Sequence, residues 1–189
     1  MPELMLASAS PRRRELLSRA GFRFTVAESP YIEDMTLPLD PSELAAVMAE
    51  GKARAINAPD AVVLGADTIV VLGRSVLGKP LDAEDAARML ARLSGAVHEV
   101  ITGYAVIDNS SGETSSGAVT TRVRFRAITD AEISEYIATR EPMGKAGAYA
   151  IQGGASKFVE SIDGPLDNVM GLPMKEVGEA LARSGILPG

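Results

Sequence analysis

The stretch Ala61-Val62-Val63-Leu64-Gly65-Ala66-Asp67-Thr68-Ile69-Val70-Val71-Leu72 is apolar almost throughout and reads as one long strand. Its single interruption is Asp67. Burying a carboxylate in such a run is costly unless a metal or a buried cation offsets the lost hydration. The alternative is an Asp turned to solvent at a strand kink or capping a turn. Flanking Gly65 and Thr68 point to a bend, or to close approach by a ligand. Asp67 is therefore the first candidate for chemistry.

Strands and helices alternate on both sides of this run. Leu4 to Ala7 reads as a strand, with a helix over 11–20 after it; Ser10 is its N-cap and Pro11 its first residue. Phe22 to Ala27 reads as a second short strand. Asp40-Pro41-Ser42-Glu43 opens a helix to about residue 56. Ser75 to Leu77 is a short strand. Asp82 caps a helix whose apolar face is Ala83, Ala86, Ala87, Leu90 and Leu93. His98 to Asp108 and Glu113 to Ala127 form a long hairpin over Asn109-Ser110-Ser111-Gly112. Thr129 to Glu132 is a capping box for a helix to about 139. A strand is expected over 157–162, and Pro173 opens a terminal helix. There is no internal repeat and no linker, so residues 1–189 read as a single α/β domain with a mixed sheet flanked by helices.

The charge balance narrows the partners. The net charge is −6, with four Tyr, four Phe and no Trp, a poor supply of basic surface and stacking platforms. Nucleic acid is not the expected partner. No apolar run reaches the roughly 20 residues needed to span a bilayer. The N-terminal apolar stretch is too short for a signal peptide, and with no cysteine a cytoplasmic protein fits best. The lack of cysteine also removes thiolate nucleophiles and Cys-ligated metals. With one histidine, no two-histidine metal site can form. His98 reads as a hydrogen-bonded structural imidazole.

Against this acidic background, Arg12-Arg13-Arg14 follow Ser10-Pro11 in the first turn of a helix, where the dipole favours acids. A bound polyanion would relieve the repulsion, since helix N–H groups and guanidinium forks both hold phosphate oxygens. The bland alternative is a solvated basic run. Lys52 lies late in the helix from residue 41, and Lys79 is held between Gly78 and Pro80 in a stiff turn. Glu33 and Asp34 form an acidic pair in the loop Pro30 to Leu39. No G-x-x-x-x-G-K-[ST] loop is present.

Six segments, in order, resemble the Maf family, also called septum-formation-inhibitor-like proteins. They are Ala7-Ser8-Ala9-Ser10-Pro11-Arg12-Arg13, Gly65-Ala66-Asp67-Thr68, Gly78-Lys79-Pro80, Thr102-Gly103, Lys145-Ala146-Gly147-Ala148-Tyr149-Ala150-Ile151-Gln152-Gly153 and Val169-Met170-Gly171-Leu172-Pro173. The resemblance implies a nucleoside triphosphate pyrophosphatase with an inosine-triphosphatase-like fold, two lobes around a cleft. The Lys145–Gly153 signature is similar to the branch acting on dTTP and UTP; the alternatives are 7-methyl-GTP or broad-range hydrolysis, or a non-catalytic regulator of cell division that binds nucleotide.

By the same resemblance, Asp67 is the catalytic base. Ser8, Arg12, Lys52 and Lys79 contact phosphate, and Arg13, Thr68 and Gln152 stand where the family sets base preference. A divalent cation, Mg²⁺ or Mn²⁺, is implied on Asp67 with Glu33 or Asp34. A homodimer is compatible with the family, though no segment marks an interface. Three departures stand out: Ile32-Glu33-Asp34 where the family has an acid and then Glu, Gly144 in place of Asp, and Ala150 in place of Gly.

Overall fold

The computed structural model describes residues 2–189. Its core is a mixed sheet of seven strands: β1 (Glu3–Leu6), β2 (Thr25–Val26), β3 (Ala61–Leu72), β4 (Ser75–Leu77), β5 (Val97–Asp108), β6 (Thr114–Phe125) and β7 (Val159–Asp163). The order is β2-β1-β3-β5-β6-β7, with β4 paired to β3. β1 runs parallel to both β2 and β3, with Leu6 opposite Val26 and Leu64, whereas β4 and β7 are antiparallel to β3 and β6. Six α-helices among the described residues accompany it: α1 (Pro11–Arg19), α2 (Pro41–Arg54), α3 (Ala83–Leu93), α4 (Asp130–Ala138), α5 (Leu166–Met170) and α6 (Met174–Arg183). No helix among the described residues is long and apolar enough to cross a membrane.

Helix starts follow local chemistry. Ser10 Oγ accepts from the Arg13 N–H at 3.5 Å, Asp82 Oδ1 from Asp85 N–H at 2.7 Å, and Thr129 Oγ1 from Glu132 N–H at 3.3 Å. Two expected strands are shorter or later than the pattern suggests. Phe22 N–H closes α1 by bonding Leu17 O, so pairing begins only at Thr25. Residues Gly154–Phe158 coil into a 3-10 turn, and the expected strand starts at Val159. The five-residue helix α5 carries no cap signal and was not expected.

The chain divides into two compact units: Met1–Asp67, Thr102–Val119 and Gly171–Gly189 form one; Thr68–Ile101 and Thr120–Met170 form the other. In the first, α2 lies against the sheet through small residues. Ala49, Ala53, Val63, Ala105, Ile107 and Ala7 make one buried cluster. Two glycines mark the contact. A Cβ at Gly65 would overlap Ala49 O, and one at Gly103 would overlap the backbone of Ala45 and Ala46. The close approach expected at Gly65 is made by helix backbone and requires no ligand.

The second unit is built around edge-to-face aromatic rings. Tyr136 meets Phe158, Phe158 meets Phe125, and Phe125 and Tyr149 both meet His98. His98 Nε2 and the Tyr149 hydroxyl are 2.8 Å apart, while His98 Nδ1 has no partner among the described residues. Burial pulls the His98 pKa from 6.5 to about 4. The unfolded chain takes up this proton below pH 6.5, and folded His98 resists it until about pH 4. Stability is thus full above pH 6.5 and declines as pH falls through that window, by on the order of 3 kcal/mol. His98→Asn should be less stable at pH 7 but lose less between pH 7 and pH 4, as measured by denaturant unfolding.

Candidate active site

Asp67 is buried, at 6% exposure, in the middle of β3. The residue that offsets its desolvation is Lys52, whose Nζ lies 2.5 Å from Asp67 Oδ1 and 2.6 Å from Glu33 Oε1. One ammonium therefore joins two carboxylates drawn from a strand and a loop. Asp67 Oδ2 carries no hydrogen bond among the described residues. The close seat of α2 on Gly65 is what brings the helical Lys52 within reach of a residue on the strand beneath it.

The Glu33 loop is docked on the same helix. Ser29 Oγ donates to Lys52 O at 2.9 Å and accepts from Tyr31 N–H at 3.3 Å. The Tyr31 ring fills the space that a Cβ at Gly51 would need. Two residues on, Glu33 meets Lys52. Asp34 turns elsewhere: it is exposed and accepts from Thr36 N–H at 2.9 Å and Thr36 Oγ1 at 2.6 Å. Those bonds, the side-chain one foremost, hold the Asp34 carboxyl below its ordinary pKa. Of the acidic pair, the structure brings Glu33 and not Asp34 to Asp67. Ser29, Tyr31 and Gly51 escaped the sequence reading, although a glycine inside a helix costs about 1 kcal/mol against alanine and so marks a packing demand.

Arg13 is a brace. Its Nε donates to Gly171 O at 2.8 Å, and its Nη1 to Ala66 O at 2.9 Å and Ser8 Oγ at 3.1 Å. The guanidinium thus ties α1 to the residue before Asp67 and to the Gly171 turn, where φ is +109°. Burial lowers the Arg13 pKa, opposed by Asp67 and then Glu33. Ser8 is buried, and its hydroxyl also accepts from Ser10 N–H at 3.2 Å. Arg12, half-buried in the first turn of α1, has no ion pair among the described residues. No acid occupies that turn.

Thr68, Lys79 and Gln152 belong to the second unit. Thr68 follows Asp67 in β3 and is half-buried. Lys79 is exposed without an ion pair among the described residues, and Gln152 is exposed with no hydrogen bond among them. Gly147 N–H donates to Gly78 O at 3.0 Å, so the Lys79 turn and the Lys145–Gly153 segment share one framework.

Glu33 and Asp67 offer hard oxygen donors already gathered on one cation, the Lys52 ammonium. No group of three or more His, Cys, Asp or Glu suited to a metal occurs among the described residues. This donor set suits an ion such as Mg²⁺, which commonly takes one or two carboxylates and completes its shell with water and substrate phosphate. The residues fit a cation shared with a phosphate ligand.

Fold and cluster together define an α/β protein with an acid–ammonium–acid constellation built on a buried aspartate of a central strand. The model of the family described as Maf-like protein matches residues 3–184. The chain is 51% identical over 186 residues to a dTTP/UTP pyrophosphatase of Geobacter sulfurreducens, with 97% of each chain covered. It is 46% identical over 187 residues to one of Pelotomaculum thermopropionicum, covering 98% of each. With one of Anaeromyxobacter dehalogenans it shares 49% over 186 residues, 97% of this chain and 95% of the relative. This chain belongs to the Maf family.

Proposed function

We propose that this protein, a single Maf-like domain over residues 1–189, hydrolyses the α–β phosphoanhydride of nucleoside triphosphates, with dTTP and UTP as substrates and the monophosphate and pyrophosphate as products. The observation that carries this reading is the Glu33–Lys52–Asp67 constellation, with one Asp67 oxygen held and the other without a hydrogen bond among the described residues. The relatives named above, nearly equal to this chain in length, support the choice of substrates.

In this reading, Asp67 Oδ2 accepts a proton from the attacking water, while Lys52 on Oδ1 orients the carboxylate. Glu33 and Asp67 would hold a divalent cation, Mg²⁺ or Mn²⁺, which would neutralise phosphate charge and polarise the phosphorus under attack. Arg12, through its side chain and its backbone N–H, binds phosphoryl oxygens together with Ser8, Lys52 and Lys79. Arg13 sets the position of Asp67 through Ala66 O. Arg13, Thr68 and Gln152 set base preference, and at Gln152 an amide that both donates and accepts matches the O4/N3 edge of uracil and thymine.

Pyrophosphate release measured over a panel of nucleotides, with and without Mg²⁺, tests the proposal. Turnover of dTTP and UTP that needs the metal supports it; turnover of none, or preference for 7-methyl-GTP, contradicts it. Lys79→Ala should raise KM for dTTP by about tenfold, the scale of one charge-assisted phosphate contact. Its melting temperature should stay unchanged, because the exposed Lys79 side chain has no ion pair among the described residues to lose.

A further inference from the structure

We propose that Glu141, just after α4, is a positioning residue for nucleobase selectivity that acts by clamping the backbone beside Gln152. This rests on the reading of Gln152 as the residue that faces the base. The Glu141 carboxylate lies over the Gly153–Gly154 turn. Its Oε2 accepts from the Gly154 N–H at 2.7 Å, and its Oε1 fills the space where a Cβ at Gly153 would stand. Its own backbone is fixed from both sides: Glu141 N–H donates to Thr139 Oγ1 at 3.1 Å, and Lys145 Nζ donates to Glu141 O at 2.6 Å.

The segment that carries Gln152 is held upstream by buried contacts. Ala150 N–H donates to the Tyr136 hydroxyl at 3.0 Å, and the Tyr149 hydroxyl meets His98. Downstream come two glycines, the residues whose backbone is least confined by their own side chains. Glu141 supplies the side-chain anchor there, through a charge-assisted bond that is stronger than a neutral one. Gln152 itself is exposed and has no hydrogen bond among the described residues, so its approach to a ligand is set by this backbone.

That matters for selectivity because a glutamine amide pairs with either pyrimidine. Turned one way, it matches the acceptor and donor of uracil; turned over, it matches the donor and acceptor of cytosine. Telling UTP from CTP requires a held approach. Loosening the turn should let both bases pair, and the discrimination should fall while the reacting groups on β3 stay in place.

The test is steady-state kinetics with UTP and CTP for the wild type, Glu141→Ala, Glu141→Gln, Gly153→Ala, the double variant Glu141→Ala/Gly153→Ala, and Gln152→Ala. Glu141→Ala should lower the UTP-over-CTP ratio of kcat/KM about tenfold, the size of one charge-assisted hydrogen bond. The loss should fall on KM, with kcat for UTP within about twofold. Glu141→Gln keeps an acceptor oxygen and should restore most of the ratio. Gly153→Ala pushes the carboxylate aside, so it should reproduce the loss alone and add nothing once Glu141 is Ala. Glu141→Gln and Gly153→Ala carry the test if Glu141→Ala does not fold. An unchanged ratio in the Glu141 and Gly153 variants while Gln152→Ala shifts it overturns the clamp and leaves the base reading standing. Equal loss for both nucleotides means a structural role and also overturns it. An unchanged ratio in Gln152→Ala overturns the base reading and the clamp together.

Discussion

Asp67→Asn is expected to fold normally and to lose at least about two orders of magnitude in kcat for dTTP, the range usual for a general base. The substitution keeps the shape of the side chain and removes its capacity to take a proton. Lys52 would still pair with Glu33 at 2.6 Å, so its ammonium would not be left buried and unpaired. The two measurements are turnover and thermal unfolding on the same preparation. A lower rate at an unchanged melting temperature assigns Asp67 to the chemistry; near-normal turnover removes it from the mechanism.

The second large effect is mechanical. Gly65→Ala places a methyl group against Ala49 O and within 2.9 Å of Ala53 N, both backbone atoms of α2 that cannot rotate away. Either the helix lifts from β3 or the strand is pushed back. Overpacking of this kind costs about 3 kcal/mol, which for a chain of this length lowers the melting temperature by roughly 6–12 °C. Because α2 carries Lys52, activity should fall as well, by more than tenfold, since misplacement of about 1 Å is costly in a preorganised site. A variant with native melting temperature and turnover would show that α2 does not rest on the strand at Gly65.

Much of the fold was legible because its signals are local. The apolar run Ala61 to Leu72 is β3 from end to end, and Ser75 to Leu77 is β4. Ser10, Asp82 and Thr129 each cap the helix that the pattern assigns to them. The departures arise where a distant contact decides. Residues 154–158 coil into a 3-10 turn on the strand side of the Glu141 carboxylate, and nothing within them foretells that.

The site divides the same way. A lone acid in an apolar strand implies a buried cation or metal, and Lys52 is that cation. Which member of the acidic pair would join it was open, because the answer depends on Tyr31 resting on Gly51 in another element. The basic run at Arg12-Arg13 looked uniform in sequence. Folding separates its members: Arg13 donates to Ser8, Ala66 and Gly171, and Arg12 has no ion pair among the described residues. The Gly171 turn, 158 residues from Arg13, is explained by its carbonyl, which takes the Arg13 Nε–H.

The direct test of where the water attacks is the fate of its oxygen. Hydrolysis of dTTP in water enriched in oxygen-18, with the products read by phosphorus NMR and mass spectrometry, should place the label in dTMP and leave the pyrophosphate unlabelled. Label in the pyrophosphate, or release of dTDP and phosphate, would contradict attack at the α-phosphorus.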